Sequence, residues 1–191
     1  MAFRLETLIS DARTIEYRTW SKWMRSAAAL ASRFHDEVDG DDPFAYNETA
    51  SVSHLTAAAT RAGYLALAEF TTTKKAASDR RRHAHGRADF WLGVQGRSWA
   101  FEFKQISNGR ATAGNLNKHM QAALSCARCI KEWEADHAVA GLIVPIKLTG
   151  TTASQKAEVA LRELATTCDH AWRIHGAPLG AETYLFFRYC R

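Results

Sequence analysis

Proline is scarce in this 191-residue chain, with three in all, and glycine is held to 11. That composition excludes a collagen-like or low-complexity chain. No apolar run approaches the 18 or more residues of a membrane span, so no membrane partner is expected. The opening residues, Met1 to Glu6, carry an acid and no apolar core, so no signal peptide is expected either. Cysteine is limited to four residues. Cys126 and Cys129 form one CxxC, but there is no second CxxC and no HxxH. Cys168-Asp169-His170 could complete a zinc site only through a tertiary contact, and two small apolar residues packing on a helix is the plainer reading. Free thiols in a reducing cytoplasm are expected. No GxxxxGK[ST] occurs, which excludes a P-loop motor in this chain, and no internal repeats are present.

What is present is a chain long enough for one domain with a core of its own, at about 150 residues per domain. Its charge is concentrated. Between Lys74 and Arg87 lie Lys74, Lys75, Arg80, Arg81, Arg82 and Arg87, opposed only by Asp79. This net +5 equals the charge of the whole chain, so the remainder sums to zero. A focused positive patch suits a polyanion, although a basic solvated loop has the same composition.

Apolar residues from Leu5 to Phe34 recur at three and four spacings, which predicts one long helix over 4–35, or two with a break. The acidic run Asp36 to Asp42 reads as a solvated linker. If Gly40 were the sixth position of a calcium loop, His35 would be the first, and it is not a ligand of that kind. Asn47 is a good cap for a second helix, which Gly63 ends. Strands are expected over 64–73, 88–94, 98–106, 139–148 and 183–189, with a further one over 169–174. Helices are expected over 115–133 and 154–166. The order suits an α/β fold, a central mixed sheet flanked by helices.

The strands over 88–94 and 98–106 carry the chemistry. A two-residue turn at Gln95-Gly96 pairs Val94 with Arg97 and, by the same register, Asp89 with Glu102. Directly opposed side chains have Cβ atoms about 4.5–5.5 Å apart, and two like charges there call for a shared cation or a held proton. Lys104 shares the face of Glu102, while Trp99, Phe101 and Phe103 point to the other. Two hard carboxylates suit Mg²⁺, and a lysine beside the metal can orient a bound water or stabilise charge on a phosphate. An Asp–Lys–Glu cluster on an exposed sheet face, contributing little, is the competing reading.

Gly86-Arg87-Ala88-Asp89, twelve residues, then Glu102-Phe103-Lys104 resembles the PD-(D/E)XK nuclease superfamily, the restriction-endonuclease-like fold. Ala88 stands where that pattern has proline. The resemblance covers about 47–148, the expected core of a single domain over 1–191. Residues 1–46 would be an N-terminal helical extension, and 149–191 a C-terminal helix and strand. It implies that Asp89 and Glu102 bind Mg²⁺ (Mn²⁺ as a substitute), that the carbonyl of Phe103 is a third ligand, and that Lys104 governs the water nucleophile. Glu48, at the start of the first core helix, matches an added glutamate of many members, or else simply favours the helix dipole. Glu69, Gln105 and Gln121 are second-layer candidates. Ser125 stands where a Q-x-x-x-Y motif has its tyrosine. The implied function is a metal-dependent nuclease acting on nucleic acid, DNA before RNA, in the cytoplasm. Lys74, Lys75, Arg80, Arg81, Arg82 and Arg87 would hold phosphates, and a homodimer is compatible with one site cutting one strand. The alternative is a non-catalytic nucleic-acid-binding or protein-interaction module on the same fold. A surface cluster of Trp20 and Trp23 would favour a protein partner.

Overall fold

The computed structural model describes residues 3–75, 83–106, 110–176 and 181–190. In chain order the elements are β1 (Arg4–Ile9), α1 (Ile15–Glu37), α2 (Glu48–Arg61), β2 (Leu65–Lys75), β3 (His83–Val94), β4 (Arg97–Gln105), α3 (Ala113–Ala127), β5 (His137–Lys147), α4 (Thr152–Ala165), β6 (His170–His175) and β7 (Ala181–Tyr189). The seven strands form one open mixed sheet in the order β1-β6-β7-β5-β4-β3-β2. Only β4 and β5 run parallel; every other neighbouring pair is antiparallel. The chain is therefore α/β, a central mixed sheet with helices on its faces.

The N-terminal segment is not wholly helical. Residues 4–9, expected to begin the long helix, form the edge strand β1, which pairs from Arg4↔His175 to Ile9↔Ala171. Asp11 breaks the continuity. Its carboxylate accepts from the Arg13 N–H (3.0 Å) and its carbonyl from the Thr14 N–H (3.1 Å). Thr14 then caps α1 by accepting from the Tyr17 N–H. α3 also differs from expectation, since it stops at Ala127 rather than near Trp133, and Ile130 is buried from the turn beyond. The strand expected over 169–174 is β6, displaced by one residue.

Packing follows the two faces of the sheet. Trp20, Trp23, Met24, Ala27 and Ala31 of α1 and Val52 and Leu55 of α2 meet Phe90, Trp99, Phe101 and Phe103 on one face. On the other, Leu116 and Met120 of α3 and Leu161 and Leu164 of α4 meet Leu142, Val144 and Phe186. Trp20 and Trp23 are fully buried, so they offer no surface to a partner. No helix among the described residues is long and apolar enough to cross a membrane.

Two histidines make this packing sensitive to acid. His54 lies buried with Nε2 donating to the Ala27 carbonyl (3.0 Å). Burial lowers its pKa, and the carbonyl only partly opposes this. His170, between Ser10 Oγ (2.6 Å) and the Tyr189 hydroxyl (3.3 Å), is lowered by burial against the pull of Asp169, Glu16 and Asp11. A folded-state pKa below the unfolded value means that the unfolded chain binds the proton first. Stability is therefore full above about pH 6.5 and falls below it, by up to about 1.4 kcal/mol per pH unit for each histidine until its folded pKa is reached. Urea midpoints should fall between pH 7.5 and 5.5, and the gap between wild type and His54→Gln should shift over that window in favour of the variant. A gap constant with pH would refute the assignment to His54.

Candidate active site

The turn between β3 and β4 sets the geometry. Gln95 (φ 50°) and Gly96 (φ 76°) both adopt the left-handed backbone of a two-residue hairpin turn. The ladder then runs from Val94↔Arg97 to Phe90↔Phe101 and stops there. Asp89 and Glu102 come next in register, on the face opposite Phe90 and Phe101, at the point where the two strands part. The Asp89 side chain continues the link that the backbones no longer make, as the Phe103 N–H donates to its Oδ2 (2.6 Å). Glu102 is only 3% exposed, and its own strand stays paired to β5 at Ala140.

Phe103 is the pivot of the site. Its ring lies over Gly141, its register partner on β5, where a Cβ would stand 2.3 Å from the ring. Gly141 is thus the only kind of residue that leaves the ring its seat. With the ring so placed, the main chain of Phe103 presents its N–H to Asp89 and its carbonyl to Lys104 Nζ (2.6 Å).

Glu48 reaches the same spot from α2. Asn47 caps this helix by accepting from the Ala50 N–H (2.9 Å), which puts Glu48 at its first position, where the dipole favours a carboxylate. Lys104 Nζ donates to Glu48 Oε1 (3.1 Å), and the Gln105 N–H donates to Oε2 (2.9 Å). Gln105 Nε2 donates to the Phe44 carbonyl (2.9 Å), tying the segment before α2 to the end of β4. Burial works against the charge on Lys104. Glu48, helped by Asp89 and Cys126, outweighs it and raises the lysine pKa above its ordinary value. Lys104 is therefore an ammonium here, a donor rather than a free base.

The remaining candidates divide. The β2–β3 ladder keeps one register from Leu65↔Gly93 to Lys75↔His83 but skips Glu69, whose φ is 50°. Its carboxylate lies 3.7 Å from Arg87 Nη1, at the exposed rim. Gln121 sits on the exposed side of α3. Lys74 and Lys75 end β2, while Arg80, Arg81 and Arg82 lie outside the described residues. Sequence reasoning missed Phe44 and Cys126. A backbone acceptor leaves no signal in sequence, and Cys126 was legible as half of a CxxC, not as a neighbour of Lys104.

The donors suit a hard cation in kind. They are carboxylate and carbonyl oxygens, and a cation, the Lys104 ammonium, already sits on the Phe103 carbonyl. Among the described residues, no three His, Cys, Asp or Glu side chains group closely enough to hold a metal by themselves. A metal would rely on the Asp89–Glu102 pair, the Phe103 carbonyl and water, a donor set of the sort Mg²⁺ accepts. Comparison with family models, with curated proteins and with solved structures gives no match for this chain.

Proposed function

We propose that the chain is a metal-dependent nuclease that hydrolyses phosphodiester bonds, with DNA as its substrate. One observation carries the reading: Glu48, Asp89 and Lys104, from three separate elements, meet on the main chain of Phe103 and Gln105. The convergence sets two carboxylates and an ammonium at one strand end, with Glu48 and Asp89 both holding the charge on Lys104. Asp89, Glu102 and the Phe103 carbonyl would hold Mg²⁺ or Mn²⁺. When bound, the ion supplies a nucleophilic water at neutral pH and a counter-charge for the phosphate. Lys104 Nζ, positioned by Glu48, donates to a phosphate oxygen or to the attacking water. Its raised pKa keeps it charged for that task. Arg87, exposed two residues from Asp89, draws the backbone toward the site, an attraction that weakens with salt.

The test is cleavage of supercoiled and linear DNA by the full chain with Mg²⁺, Mn²⁺ or EDTA. Asp89→Asn is the informative partner variant, since the amide oxygen still accepts from the Phe103 N–H while the charge is lost. Metal-dependent nicking by wild type, abolished by this change and by Lys104→Ala, supports the nuclease. A second reading, a non-catalytic binder of nucleic acid, is favoured by the Lys104 ammonium seated on the Phe103 carbonyl that a metal would use. Salt-sensitive binding without cleavage would select it. Loss of both would leave a protein-interaction module.

A further inference from the structure

The sheet face that carries Asp89 and Glu102 is covered unevenly. α3 packs on β4 and β5, and α4 reaches β1. Toward the β2 edge, Leu65 and Leu67 are 72% and 56% exposed. By register Leu67 lies opposite Trp91 and Leu65 opposite Gly93, on the same face as Asp89 and two and four residues along β3 from it. The Trp91 ring lies across Gly93, where a Cβ would meet Cη2 at 2.3 Å. Its Nε1 donates to the Glu134 carbonyl (3.2 Å), which fixes the indole in place. The result is an apolar shelf leading away from the carboxylates.

The shelf ends in a cleft of about 580 Å³ beside the Gln95-Gly96 turn, lined by Lys22, Tyr64, Leu65, Trp91, Val94 and Arg97. Lys22 Nζ stands 5.3 Å from the centre of the Tyr64 ring, and Arg97 Nη1 lies 3.6 Å from the largely buried Glu16 carboxylate. No carboxylate lines the cleft itself. Flat rings and aliphatic groups beside two cations match a nucleobase and its phosphate. Paired bases in a duplex keep their faces stacked on one another, so an unpaired base is what fits the shelf.

We infer that this shelf and cleft bind unpaired nucleotides of a single strand beside the cutting site, with bases on Leu65, Leu67 and Trp91 and phosphates toward Lys22 and Arg97. The inference rests on the nuclease reading and adds the substrate class: frayed, gapped or single-stranded nucleic acid in preference to intact duplex. The occupant is set by charge, since a second copy of this face would meet Lys22 and Arg97 with the same two cations.

The test is fluorescence anisotropy in EDTA with a labelled single strand, the same strand carrying abasic sites, and a blunt duplex. The double variant Leu65→Ser/Leu67→Ser alters only exposed side chains, and circular dichroism checks its fold. The apolar area that a base covers on the two leucine side chains supports a loss of about tenfold. Wild type should bind the single strand more tightly than the duplex. The double variant should lose about tenfold on the single strand and under twofold on the duplex, and abasic sites should cost wild type but not the variant. Equal binding of the single strand by wild type and variant overturns the shelf and leaves the nuclease reading standing. So does a wild-type dimer that the variant breaks, which would assign the face to a second copy. If wild type binds neither polymer in EDTA, the shelf falls, and the nuclease reading is decided by the cleavage assay with Mg²⁺ and Mn²⁺.

Discussion

Lys104→Met is expected to abolish cleavage and, at the same time, to tighten Mn²⁺ binding. On the proposed nuclease reading these effects have one cause. The ammonium occupies the Phe103 carbonyl (2.6 Å) and a Glu48 oxygen (3.1 Å), so a metal that uses the carbonyl must move it. An ammonium and a doubly charged ion 4 Å apart repel by about 8 kcal/mol at an effective dielectric near 20. The Lys104 side chain is 30% exposed, and solvent screening cuts that figure substantially. About tenfold tighter binding is the expected remainder. Methionine keeps the stem and removes only the charge and the donor. Titration calorimetry with Mn²⁺ reads the affinity, and a plasmid assay reads the loss, expected at about 100-fold or more. Unchanged or weaker Mn²⁺ binding by the variant would show that the lysine does not hold the metal's place.

Trp20→Ala is expected to cost about 3–5 kcal/mol, the usual range for deleting a buried aromatic ring. Trp20 is fully buried, and its ring lies 5.0–6.4 Å from seven other rings, those of Trp99, Phe101, Trp172 and Phe187 among them. It joins α1 to both halves of the sheet, so the cavity cannot close by moving one element. A domain with about 5–15 kcal/mol in hand would lose a large share of it. Trp20→Phe should cost under about 2 kcal/mol. It keeps a ring and removes an indole N–H that has no protein acceptor. Urea unfolding followed by circular dichroism measures both, and an alanine variant as stable as wild type would refute the role given to the ring.

The hairpin was legible in the sequence because local signals agreed there. Gln95-Gly96 fits a turn with two positive φ values, and the alternation of Trp99, Phe101 and Phe103 with Glu102 and Lys104 assigns the faces. β1 was not legible. Leu5, Leu8 and Ile9 fit a helical period as well as a strand, and the partner that decides between them, β6, lies more than 160 residues away. The site was half legible. Register leads to Asp89 and Glu102, yet the ladder stops one pair short of them, and the tie from Glu48 to Lys104 and Gln105 depends on how α2 docks, which no spacing encodes. The Glu69–Arg87 contact likewise depends on a backbone irregularity at Glu69 that alternation cannot announce.

The pairing of β1 with β6 also orders events in time. At about 5–20 residues per second, synthesis reaches β6 roughly 8–30 s after β1 has been made. Through that interval β1 has no neighbour in the sheet, and its Arg4, Glu6 and Thr7 keep it wettable while it waits. The hairpin, α3 and β5 emerge in the meantime and can close around Asp89, Phe103 and Lys104 first. β1 finds its partner strand only once β6 is made, where Arg173 meets Glu6 (3.1 Å) and Glu182 together. The N-terminal strand is the clasp of the fold, held by a strand made more than 160 residues later.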